Sequence, residues 1–140
     1  ARRAAEFLPV VLLVLALLWQ QPRLWRSMQR SNSFQPGHVV AANWLRSAGA
    51  TVEATVMSRY PAIAFHAGAR WAPTPAASWP EVAAYAGRRG ADYLVIDAWE
   101  ARLRPQLAFL LDPAAAPAAL RYLATMDAGA GPVVIYEFTP

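Results

Sequence analysis

The chain has 140 residues, enough for one domain and too few for two of ordinary size. It contains no cysteine, which excludes a disulfide framework and any thiolate metal site. A net charge of +4 and a pI near 10.1 raise nucleic-acid binding, but the placement of the charge argues against it. Ala1 to Pro36 holds five arginines against one glutamate, whereas Gly37 to Pro140 holds eight arginines against eight acidic residues. The excess therefore flanks one apolar stretch and leaves no basic stripe on the remainder. The chain starts with Ala inside a helical-looking segment, and so reads as a piece of a longer protein.

Phe7 to Trp19 (FLPVVLLVLALLW) is uninterrupted apolar sequence with no polar face, the pattern of a helix in lipid. Extended to Ala4 and Gln21, it would be about 27 Å long, just short of a bilayer core of about 30 Å. Trp19 and Trp25 stand beside Arg23 and Arg26, as in an interfacial belt. No small-residue cleavage site follows, which argues against a signal peptide. Residues 1–22 are thus expected to form a transmembrane helix truncated at its start. Residues 23–36 read as a juxtamembrane linker, and 37–140 as a soluble α/β domain.

Within that domain, Val40, Ala41, Trp44, Leu45 and Ala48 recur on one helix face, and Gly49 ends the helix. A strand is expected over 54–58, stopped by Pro61. The stretch Val56 to Trp71 (VMSRYPAIAFHAGARW) then reads as a strand end running into a loop, and APTPAAS (72–78) as further loop. Pro80 and Glu81 open a second helix that runs to Arg89. DYLVID (92–97) is apolar without alternation, as in a central strand covered on both faces. A short helix follows over 105–111. Leu120, Tyr122, Ala124 and Met126 alternate like a strand, although Leu120, Leu123 and Ala124 also fit a helix. The AGAGP turn before Val133 to Phe138 favours a closing hairpin. The expected fold is α/β: a small, mostly parallel sheet of about four strands, flanked by helices and closed by an antiparallel hairpin.

In a parallel sheet the working crevice lies beyond the carboxyl ends of the strands. Arg59 follows the first strand and Asp97 ends DYLVID, so both are expected there. Arg59, with Tyr60 beside it and His66, is a candidate for holding an anionic group that Asp97 or Glu100 would orient. The alternative is that Arg59 and Asp97 pair with each other and pin two loops. Trp71, Trp79 and Trp99 could stack on a sugar ring or cap a small core. His38 and His66 are the only imidazoles, and no HxH, HxxxH or HExxH spacing occurs, so no metal or other cofactor is expected. Ser58 is not in a GxSxG elbow, which argues against a triad with His66 and Asp97. Neither GxGxxG nor a P-loop is present. No catalytic residue is assigned.

The order of the motifs carries more than any one of them. An apolar helix and a linker precede Trp44-Leu45-Arg46. VMSRYPAIAFHAG, a WAPTP loop, GADYLVIDAWEARLRPQLAFLL and a terminal VVIYEF follow. This order resembles the C-terminal region of bacterial polytopic glycosyltransferases of the protein-mannosyltransferase-like class (glycosyltransferase family 39 type), over nearly the whole chain. The resemblance implies a cell-membrane enzyme using a polyprenyl-phosphate-linked sugar, whose catalytic acids lie in a membrane part absent from this sequence. It implies that this piece is the last membrane helix plus an extracytoplasmic accessory domain. The expected partners are the lipid bilayer, the polytopic membrane domain and a lipid-linked sugar or acceptor. Arg23, Arg26 and Arg30 would by the positive-inside rule favour a cytoplasmic domain, against that topology. The alternative is a stand-alone membrane-anchored α/β binding module with no enzyme attached.

Overall fold

The computed structural model describes residues 36–127 and 131–139. The expected span over 1–22 and all but the last residue of the linker over 23–36 lie outside the described residues. Among the described residues, no helix is long and apolar enough to cross a membrane.

Helix α1 (Pro36–Ser47) comes first, followed by β1 (Thr55–Ser58), α2 (Pro61–Ala67), β2 (Arg70–Pro73), α3 (Trp79–Arg89) and β3 (Tyr93–Asp97). Helix α4 (Ala98–Leu103) and two 3₁₀ turns, Pro105–Leu111 and Pro113–Ala115, lead to β4 (Leu120–Asp127) and β5 (Pro132–Phe138). The strands form one sheet in the order β2-β1-β3-β5-β4. β1 lies parallel to β2 and β3, whereas β5 runs antiparallel to both β3 and β4. The sheet is therefore mixed and has five strands, not the expected four.

Alternation along the strands sends side chains to two separate cores. Val56, Val95, Val133 and Ile135 pack with Ala41, Ala42 and Leu45 of α1 and with Ile63, Ala64 and Ala67 of α2. Met57, Leu94, Ile96, Val134 and Tyr136 face the other way, against Val82 and Ala86 of α3 and Leu107 and Leu110 of the first 3₁₀ turn. Tyr93 to Ile96 alternate between the two cores, which explains the lack of polar alternation in this run. Truncation of a fully buried side chain such as Leu94 to Ala would cost about 2–5 kcal/mol.

The helix stops are local chemistry. Gly68 and Gly90 take left-handed conformations (φ 76° and 58°) and let the chain turn straight into β2 and towards β3. Helix α3 opens with a capping box. The Glu81 carboxylate accepts from the Ser78 hydroxyl and backbone N–H, and these bonds hold its pKa below the ordinary carboxylate value.

Three expectations need correction. The loop read over Val56 to Trp71 contains α2, because Pro61 ends β1 and also occupies the first turn of a helix, where its missing N–H costs nothing. The loop read over 72–78 begins inside β2, an edge strand only four residues long. Helix α4 was not expected at all.

Candidate functional site

Chain direction determines where a crevice can form. From β1 the chain moves one way to β2 through α2, on the face of the first core. It then returns across β1 to β3 through α3, on the opposite face. The reversal leaves a gap between the carboxyl ends of β1 and β3, the position where open α/β sheets take ligands.

In this protein that gap is filled by the chain's own side chains. His38, in the first turn of α1, donates from Nε2 to Oδ2 of Asp97 at 2.8 Å, and both residues are buried. The other oxygen, Oδ1, accepts the backbone N–H of Glu100 at 2.5 Å and so caps α4. The Tyr60 ring stacks on the imidazole with centroids 4.4 Å apart. Burial, and secondarily the Asp97 charge, raises the Tyr60 pKa above its usual value of 10.0, against the opposing effect of Arg59. Tyr60 is thus a neutral phenol at any physiological pH.

Glu100 is 1 % exposed and pairs with Arg104, one turn along, at 2.5 Å. Burial raises its pKa despite that arginine, because desolvation of the carboxylate outweighs a single partner. Thr74 Oγ1 is buried beside this carboxyl and has no hydrogen bond of ordinary geometry among the described residues. The Ser58 hydroxyl donates to the Tyr60 carbonyl at 2.9 Å, and the Ser58 carbonyl accepts from Trp71 Nε1 at 2.9 Å. That serine is engaged in a turn and is not set up as a nucleophile.

Tyr60, Asp97 and Glu100, three of the residues expected in the crevice, do meet there. Arg59 sits at the same edge with its guanidinium 5.7 Å from the Tyr60 ring centroid, and the side-chain hydrogen-bond partner of Asp97 is His38, not Arg59. His66 lies elsewhere. It is near the end of α2, which runs from the carboxyl end of β1 back to the start of β2, so it approaches the opposite edge of the sheet. The Trp71 indole donates to the Ser58 carbonyl, and the residue remains 40 % exposed. Trp79 packs against the second core, whereas Trp99 is largely exposed with Arg102 over its ring.

His38 is the residue of this cluster that the sequence does not mark, because two isolated imidazoles suggest at most a metal ligand. Its partner is 59 residues away, beyond any local pattern. A carboxylate, an imidazole and a phenol have the composition of acid–base chemistry. Here each carboxylate is instead answered by an internal donor, and the group works as a brace joining α1, β3 and α4. Among the described residues, no three His, Asp or Glu side chains converge in a way that could hold a metal. No family model matches the chain, and no curated protein or solved structure is significantly similar to it.

Proposed function

We propose that this chain is the last membrane helix and extracytoplasmic accessory domain of a membrane glycosyltransferase that uses a polyprenyl-phosphate-linked sugar. In this reading the folded part is not itself catalytic. The single observation behind the non-catalytic assignment is that the switch-point crevice is occupied by His38 and Tyr60 and its carboxylates are internally paired. The parent enzyme rests on the motif order from Trp44 to Phe138 and on the apolar run Phe7 to Trp19. Arginines follow that run, yet in a polytopic protein the preceding helices can set the orientation, which keeps an external domain compatible with them. The His38–Asp97 bond pins the first turn of α1 to the end of β3.

Two measurements test this. The reading frame upstream of Ala1 is expected to encode further apolar spans with an acidic residue in the first external loop. A start codon immediately upstream would instead leave a stand-alone anchored module. In the full-length enzyme, Asp97→Asn and Glu100→Gln are expected to leave kcat per folded molecule within about twofold. An acid–base role for either would cost about 10²–10⁴-fold, and a loss of that size would overturn the accessory assignment.

A further inference from the structure

A second feature lies at the opposite, amino edge of the sheet. Helix α3 runs from the carboxyl edge down to Gly90, which brings Arg88 and Arg89 of its last turn beside the start of β1 and β2. Register places Arg70 next to Thr55, and alternation puts both on the α3 face, with Met57 and Ala72. Together these elements border an open pocket of about 280 Å³ lined by Thr55, Arg70, Trp71, Arg88, Arg89 and Gly90.

No acidic residue lines this pocket, although three arginines do. The arginine–carboxylate pairs among the described residues engage Arg104 and Arg121, not these three. The neighbouring acids are directed elsewhere. Asp92 accepts from the Thr55 backbone N–H, Glu137 accepts from Arg121, and both line a separate pocket with Glu53. Arg70 donates one N–H to the Glu53 carbonyl, which positions its fork and leaves its other donors available. Arg88 and Arg89 lie 5.9 and 5.7 Å from the Tyr85 ring centroid. The negative end of the α3 dipole accounts for basic residues in its last turn, but not for an arginine arriving from another element. Like charges gathered in one concavity repel unless an anion joins them.

We infer that the Arg70–Arg88–Arg89 pocket binds an oxyanion of the phosphate class. The guanidinium fork matches the spacing of two phosphate oxygens. At about 280 Å³ the cavity falls just under the roughly 300 Å³ at which sites for drug-sized ligands begin, so a phosphate or diphosphate group suits it and a whole nucleotide does not. Such a group could be a free anion or the headgroup phosphate of a lipid. The site is remote from the carboxyl-edge brace and stands independently of the function proposed above.

The test titrates inorganic phosphate and pyrophosphate into the full chain in micelles of a phosphate-free sugar detergent, at constant ionic strength, followed by calorimetry. Saturable binding is expected, weakened about three- to tenfold by each of Arg70→Gln, Arg88→Gln and Arg89→Gln and abolished by the three together. Arg121→Gln, already paired across the sheet, serves as the charge control and should bind as the parent does. Repeating the pyrophosphate titration in bilayer discs containing phosphatidic acid separates the sources. Competition by the lipid assigns the pocket to a headgroup, and an unchanged isotherm assigns it to a free anion. No saturable binding of either anion in micelles, or single variants that bind as the parent does, overturns the inference.

Discussion

The two edges of this sheet handle charge in opposite ways. At the carboxyl edge Asp97 and Glu100 are buried, and each meets a donor from the same chain: His38 and the Glu100 N–H for Asp97, Arg104 for Glu100. At the amino edge Arg70, Arg88 and Arg89 gather around open space with no carboxylate among them. Polar groups that answer one another inside a fold hold its elements in place and leave little chemistry available. Groups of one sign that converge without an answer are a cost to the fold that a ligand can relieve. Position alone would have pointed to the carboxyl edge, the usual location in open α/β sheets. The state of the side chains points to the other edge.

The sharpest way to break this contrast is Asp97→Ala. It removes the acceptor for His38 and the cap of α4 together, and leaves two buried donors without partners. A loss of about 3–5 kcal/mol is expected by urea unfolding. Asp97→Asn keeps an oxygen for the cap and should cost about 1 kcal/mol, so it remains readable if the alanine variant does not fold. A change below about 1 kcal/mol for Asp97→Ala would mean that the cluster is not a brace.

Close behind comes Gly131→Ala. Gly131 has φ 107°, and a Cβ there would stand 2.7 Å from the Cβ of Ala98, the first residue of α4. A left-handed backbone and a clash between two short side chains on turning backbone should together cost about 2–3 kcal/mol. Thermal unfolding compared with Gly87→Ala, where the added carbon meets nothing within 4 Å, checks this.

Much of the scaffold is legible in the sequence. DYLVID announced a central strand because both faces of it are buried, and AGAGP announced the hairpin through its turn residues. What escaped has a physical reason in each case. β2 buries one residue fully, Ala72, so no hydrophobic signal marks it, and it is a strand only because β1 supplies partners. Pro61 reads equally as the end of a strand and the start of a helix, and it is both. Asp97 followed by Glu100 is a helix-start spacing that was available and would have exposed α4. The His38–Asp97 pair and the meeting of Arg70 with Arg88 and Arg89 are products of register and packing. No spacing along the chain encodes them.

Glu100 offers a test through pH. Burial raises its folded-state pKa above the ordinary value of 4.5, so between that value and the folded one the native protein holds more protons than the unfolded chain. Stability contributed by protonated Glu100 is full below the ordinary range and declines as pH rises through the folded pKa. Glu100→Gln removes this dependence while keeping an acceptor for Arg104. Urea midpoints measured across the acid range should fall with rising pH more steeply in the parent than in the variant. Parallel curves would show that the buried carboxyl is no more costly to ionise in the fold than in the open chain.

The smallest expected effect concerns Arg59, the residue that sequence alone would have ranked first. Its guanidinium rests on the Tyr60 ring at a partly exposed position, and no ion pair with Asp97 forms. An exposed cation–π contact contributes about 0.5–1 kcal/mol, so Arg59→Ala should destabilise the domain by no more than that. Arg59 also opposes the rise in the Tyr60 pKa. Its removal should therefore move the phenol's titration, followed by ultraviolet absorbance, to still higher pH. A loss of several kcal/mol would reveal that Arg59 belongs to the internally answered set. Unchanged stability together with lost activity in the parent enzyme proposed above would make the carboxyl edge a working surface after all, with Arg59 as its exposed charge.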